Sequence, residues 1–238
     1  MMRIIRKYLA GRNLQHGSPA RNNECSEFEI DKWVVSQFIV SKLVPIVGVH
    51  PFPLDELLLL AAAVAKIRPT HIFEWGTNVG KSARIFHETS KFFNIRTEIH
   101  SIDLPDDASH VEHPGARRGM LVKGLKGVTL HTGDGLETAL RLCRTFNGDR
   151  FAPLFFIDGD HSYESVKREL SGVLGNVANA HVLVHDTFNQ SEASGYNIGP
   201  YRAIQETLAP ISADYQIISQ TVGLPGMTLI WHRSRDVR

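Results

Sequence analysis

Hydrophobic and polar positions change period along this chain. From Ile30 the apolar residues Ile30, Trp33, Val34 and Phe38 recur at helical spacing, which predicts an amphipathic helix from Ile30 to Lys42, broken by Pro45 and Gly48. Pro53-Leu54-Asp55 opens a second helix that runs through Lys66 and stops at the Arg68-Pro69 step, because a residue before proline is pushed out of the helical region. Beyond residue 70, short apolar or β-branched runs alternate with helical patterns. The runs predict strands at His71 to Trp75, Thr97 to Ile102, Val128 to His131, Leu154 to Asp158 and His181 to His185. Helices are predicted between them at Lys81 to Phe93, Leu136 to Phe146 and Tyr163 to Leu174. Near the end, Tyr215 to Ser219 and Met227 to Trp231 flank a Gly223-Leu-Pro-Gly226 turn and predict a closing hairpin.

Strands spaced by helices imply right-handed crossovers and a parallel sheet covered on both faces. The expected fold is α/β: a Rossmann-like, seven-stranded, mostly parallel sheet with an antiparallel last strand and helices on both faces. The expected division is a lead and a lid or oligomerisation helix over residues 1–53, then one domain over 54–238. Chemistry should sit just after each strand, where an open parallel sheet binds its ligands.

Composition narrows the class. The 238 residues are 42% hydrophobic and 21% charged, an ordinary globular balance. Twenty-six Lys and Arg against 25 Asp and Glu leave no basic footprint, so neither nucleic acid nor an anionic membrane is an expected partner. Cys25 and Cys143 are the only cysteines, too few for a disulfide framework or a cysteine zinc cluster, and a reducing cytoplasm is the expected location. The apolar run Leu57 to Ala65 is shorter than the ~20 residues of a membrane span. Met1 to Arg12 reads as a short amphipathic helix rather than an export signal, and Gly11 to Glu27 as a linker.

The first strand ends in Glu74-Trp-Gly76-Thr77-Asn78-Val-Gly80-Lys81-Ser82. A phosphate-wrapping P-loop needs one more residue between its glycines, and a dinucleotide fingerprint would need glycine at 74 and 79, where Glu74 and Val79 stand. What remains is an acid at the strand end and two glycines bracketing a turn into a helix. Such glycines let backbone N–H groups approach a ligand, or simply pack helix on strand. Asp103, ending the second strand, can accept from both ribose hydroxyls. Asp134, within Gly133-Asp134-Gly135, can accept the adenine amino group, cap the following helix, or do both.

Asp158, Asp160 and His161 follow the fourth strand, and His185 and Asp186 follow the fifth. Neighbouring strand ends would crowd these groups, and shared coordination of a divalent cation, Mg2+ or Mn2+, would relieve the repulsion. The motifs Glu74-Trp-Gly-Thr-Asn-Val-Gly80, Asp103, Gly133-Asp134, Phe156-Ile-Asp158-Gly-Asp160-His161-Ser-Tyr163-Glu164 and Val184-His185-Asp186 resemble, in order and spacing, the class I S-adenosylmethionine-dependent methyltransferases. The chain is most similar to the small-molecule O-methyltransferases with a D-G-D-H-S-Y motif, a group that includes sugar and antibiotic O-methyltransferases and proteins labelled cephalosporin hydroxylase. His50-Pro-Phe-Pro53 fits that group too.

The resemblance implies S-adenosyl-L-methionine as cofactor, held by Glu74, Gly76, Thr77, Asn78, Gly80, Ser82, Asp103, Asp134 and Asp158. It implies Asp158, His185 and Asp186 as metal ligands, although imidazole at 185 departs from the acid or apolar residue often found there. Asp160 and His161 are the base candidates, with His161 favoured because imidazole titrates near working pH. The implied acceptor is a hydroxyl of a small molecule or sugar, with a catalytically silent cofactor-binding domain or a metal-independent N-methyltransferase as the alternatives, and a homo-oligomer is expected. His110-Val-Glu112-His113 reads as part of a substrate-side loop rather than a zinc motif, with Arg117-Arg118 beyond it. Asn189 to Tyr201 should overhang the site, with Tyr196 and Asn197 as substrate contacts.

Overall fold

The computed structural model describes residues 27–105, 107–108, 115–146, 151–188, 195–220 and 222–233. The expected helix at Met1 to Arg12, the loop around His110 and His113 and the stretch 189–194 lie outside them.

Seven strands form one sheet: β1 (His71–Trp75), β2 (Glu98–Asp103), β3 (Val128–Thr132), β4 (Pro153–Ile157), β5 (His181–His185), β6 (Tyr215–Gln220) and β7 (Met227–His232). Their order is β3-β2-β1-β4-β5-β7-β6, so the direction of winding reverses between β1 and β4. β1 to β5 pair in parallel, while β7 runs antiparallel to both β5 and β6, as the hairpin pattern predicted. The closing hairpin folds back, placing β7 rather than β6 beside β5.

The central strands are apolar on both faces because each face carries helices. Ile72, Phe156 and Leu183 join one core with helices α1 (Lys32–Phe38), α2 (Leu54–Ile67) and α3 (Lys81–Phe92). Phe73, Phe155, Val182 and Val184 join the other with α4 (Gly135–Cys143), α5 (Tyr163–Asn176) and α6 (Gly199–Leu208).

Three departures from the pattern have local causes. The first helix does not stop at Pro45; it passes through a π-helical turn (Ile39–Leu43) into Val44–Val47 and ends at Gly48, φ 71°. Proline sits in the first turn of that last segment, where a missing N–H costs nothing. α6 was hidden for the same reason, since Gly199-Pro200 reads as a breaker but begins a helix. Finally, α1 shares the core of the following helices: Val35, Phe38 and Leu43 are buried with Leu57 and Leu60, and Phe38 stacks on Phe92 at 4.5 Å. The expected lid helix thus packs in the same core as the helices that follow residue 53.

Candidate active site

A cavity of about 1220 Å3 opens at the carboxyl ends of β1, β2, β4 and β5, at the reversal of strand order. Register puts Trp75 beside Ile157, so the loop after β1 and the loop after β4 touch, with Asp158 N–H donating to the Trp75 carbonyl at 3.3 Å. Gly76 (φ 94°) is there because a Cβ would meet the Asp158 carbonyl oxygen at 1.9 Å. Its role is close passage of one backbone past another, alongside any contact with a ligand.

Gly76, Thr77, Asn78, Ser82, Asp103, Asp134 and Asp158 all line the cavity. Asp103 Oδ2 accepts from Asn78 N–H at 3.1 Å and Oδ1 from Leu104 N–H at 2.9 Å, which fixes the carboxylate and leaves acceptor capacity for hydroxyls. Asp134 caps α4, accepting from Glu137 N–H at 2.9 Å, and also accepts from Arg168 Nη1 at 2.9 Å. Beside it, Glu169 and Trp75 form buried wall, with the Trp75 indole N–H facing the Glu169 carboxyl. Burial lifts the Glu169 carboxyl to about 7.

Two expected cofactor residues lie off the cavity lining, Glu74 and Gly80. Gly80 (φ 86°) instead lets α3 begin against Gly119 and Val122. Glu74 is fully buried beneath the loop, where Ser101 Oγ donates to Oε1 at 2.6 Å and in turn accepts from Thr77 Oγ1 at 2.7 Å. Burial pushes its carboxyl up to about 7, opposed by the hydroxyls of Ser101 and Ser82. The acid at the strand end thus supports the loop from below.

The acidic cluster is sorted by its hydrogen bonds. Asp160 accepts from Ser165 Oγ at 2.6 Å, from Ser162 N–H at 3.0 Å and from Ser162 Oγ at 3.1 Å. These donors hold its carboxyl below the usual range, which makes it a poor base. The cap of α5 is Ser162, so His161 is free of that duty. His161 Nδ1 stands 3.3 Å from Asp186 Oδ2, and Tyr196 donates to Asp186 Oδ1 at 2.9 Å. Asp186 has φ 56°, a left-handed conformation unusual for a non-glycine residue. Asn197 lies outside the cavity lining; its Nδ2 donates to the His161 carbonyl and its Oδ1 accepts from Gly199 N–H, so it pins the loop.

His185 is clamped between carboxylates. Nδ1 lies 2.8 Å from Asp158 Oδ1 and 3.6 Å from Asp186 Oδ1, and Nε2 lies 3.1 Å from Glu56 Oε2. Glu56 is itself buried on α2 and accepts from Gly226 N–H at 2.8 Å. Burial alone would lower the imidazole, but Asp158, Glu56 and Asp186 outweigh it and hold it up at about 10. An imidazole with a carboxylate at each nitrogen carries both protons and offers no lone pair to a cation. Among the described residues, donor atoms that all come within 4.8 Å of one another belong to His71, Glu98 and His100, at the other end of the sheet. Glu56 had no signal in the sequence beyond being an acid in an apolar helix. Phe52, from His50-Pro-Phe-Pro53, packs on His185 at 5.0 Å and lines the cavity.

Residues 73–187 match the family model of a methyltransferase domain. No curated protein matches the chain in sequence. Among solved structures, the chain is similar to the methyltransferase PaMTH1 of Podospora anserina bound to SAH (16% identity, 86% of this chain and 87% of that one, TM-score 0.53). It is similar to an O-methyltransferase of Bacillus cereus in complex with SAH (16%, 84% and 90%, 0.53). CalS11, a TDP-rhamnose 3'-O-methyltransferase of calicheamicin biosynthesis, is a further neighbour (16%, 82% and 86%, 0.55). At such identities the likeness is one of fold, but the family match spans β1 to the end of β5, the segment that supplies the glycine loop, Asp103, Asp134, His161 and Asp186. The methyltransferase-domain match thus falls on the part of the Rossmann-like sheet whose strand ends build the cavity.

Proposed function

We propose that the protein transfers the methyl group of S-adenosylmethionine to a hydroxyl of a small molecule, and that His161 takes up the hydroxyl proton. The observation that carries this reading is the His161–Asp186 pair on the cavity wall, with Nδ1 turned to the carboxylate at 3.3 Å. Such a contact orients the ring, fixes Nδ1 as the protonated nitrogen and leaves Nε2 as acceptor. Tyr196 holds Asp186 from the far side.

S-adenosylmethionine supplies a sulfonium-activated methyl group. The cavity suits it: Asp103 has spare acceptor capacity for ribose hydroxyls, and Asp134, which also lines the cavity, provides a carboxylate acceptor for an adenine amino group. The protein's part is then alignment, exclusion of water and removal of one proton. Neighbours titled as O-methyltransferases, one of them acting on TDP-rhamnose, support a hydroxyl of a small molecule or sugar as acceptor.

The sequence also pointed to a divalent cation on Asp158, His185 and Asp186. His185 in its present contacts is a poor ligand, so proton removal is assigned to the histidine pair with no step through a metal. Two measurements test the proposal. Calorimetry should show binding of S-adenosylhomocysteine in preference to ATP or NAD, and binding of only the latter would overturn it. With an acceptor panel and released S-adenosylhomocysteine as readout, turnover should persist in excess EDTA. Loss of turnover restored by Mg2+ or Mn2+ would move the acceptor-orienting role to the carboxylates.

A further inference from the structure

The amino end of the sheet holds polar chemistry that the cavity does not use. His71 opens β1 and is paired in register with Glu98 at the start of β2. His100 follows two residues later, and so points to the same face. Donor atoms of the three lie within 4.8 Å of one another. His100 is only 6% exposed, its Nδ1 is 3.2 Å from His131 Nε2, and its Nε2 is buried without a hydrogen-bond partner among the described residues. His71 uses Nδ1 in the same way, 3.0 Å from Thr70 Oγ1. A ring that gives its Nδ1 proton to a neighbour presents a bare lone pair at Nε2, the way metal-bound histidines are oriented. The Phe146 ring covers both imidazoles, with centroids 3.9 Å from His71 and 5.6 Å from His100.

We propose that His71, Glu98 and His100 bind a transition-metal dication of the zinc and cobalt class, with one ring nitrogen of each imidazole, Nε2 in the case of His100, one Glu98 oxygen and a water as ligands. Two imidazoles and one carboxylate select such ions over Mg2+ or Ca2+, which prefer all-oxygen shells. Glu98 is exposed and gives access from solvent, while the unpaired Nε2 of His100 gains the partner it lacks. The bound ion ties β1 to β2 at a point five residues from Gly76, roughly 16 Å at 3.3 Å per residue. Its effect is on the stability of the sheet and not on methyl transfer.

Chelator-stripped full-length protein titrated with Co2+ should take up one equivalent and show the visible absorption of four-coordinate cobalt, displaced by Zn2+. Zn2+ at a hundredfold excess over Kd should raise Tm by roughly 5–10 °C. Glu98→Gln, at an exposed position, and His100→Phe, which keeps the ring packing, should each weaken Co2+ by at least about tenfold. Asp186→Asn should leave the cobalt spectrum unchanged. Absence of the spectrum, its survival in both the Glu98→Gln and His100→Phe proteins, or its loss in Asp186→Asn would overturn the site and leave an aromatic stack of His71, Phe73 and His100 alone.

Discussion

His185 and His100 stand at opposite ends of one sheet, 5% and 6% exposed, and burial pushes both toward the neutral form. They end in opposite charge states. Carboxylates at both ring nitrogens carry His185 up to about 10, whereas burial, reinforced by the neighbouring rings of His131 and His71, brings His100 down to about 4. Burial is common to the two, so the neighbours decide. The carboxyl end of the sheet thus holds fixed charges in a wall facing the cavity, which is what a reaction that moves charge requires. The amino end keeps neutral rings among phenylalanines.

The contrast can be broken at several points. The largest expected effect is on chemistry: His161→Ala should lower kcat by about 10²- to 10⁴-fold while S-adenosylhomocysteine affinity holds. Asp186→Asn should act in the same direction by freeing the ring to turn. Parallel losses of kcat and cofactor affinity would mark His161 as a binding group instead.

Next comes the clamp. Glu56→Ala leaves His185 with carboxylates on one side only, and loss of one partner of a buried charged pair costs about 3–5 kcal/mol, read from urea unfolding. The pH profile sharpens this. The folded-state value of His185 is raised from 6.5 to about 10, so the native state binds more protons than the unfolded state between those values. The stability it contributes is full below pH 6.5 and is lost as pH rises toward 10. Unfolding of EDTA-treated protein across that window should show the decline in the natural chain and a flatter profile in Glu56→Ala.

The smallest effect is beneath the glycine loop. Glu74 is raised from 4.5 to about 7, so ionising it in place weakens the fold as pH rises through that interval. Glu74→Gln should match the natural protein near pH 4.5 and exceed it at pH 8, by up to about 3 kcal/mol. An unchanged difference at the two pH values would show that Glu74 is ionised throughout.

Much of this molecule is written in its local pattern. The apolar or β-branched runs located all seven strands within a residue or two; the central ones stand out because a strand buried on both faces must be apolar along its length, and the βαβ rhythm implied the parallel sheet. Glycine and acid signals after β1, β2 and β3 marked the cavity end, since chemistry in such sheets gathers there. Local pattern could not say which polar groups would meet. Glu56 and His185 are 129 residues apart, and only the packing of α2 against the sheet makes them partners. Glu74 reads as a ligand-facing acid, yet it lies under the loop, because the pleat of β1 and its pairing with β2 turn it toward Ser101. His161 and Asp160 are adjacent in sequence and equal as candidates there. Tertiary structure separates them by surrounding one with serine donors and bringing Asp186 to the other. Periodicity is a property of neighbours along the chain and determines which elements form. Charge and hydrogen bonding depend on neighbours in space, which this chain acquires only when the ends of β4 and β5 stand side by side.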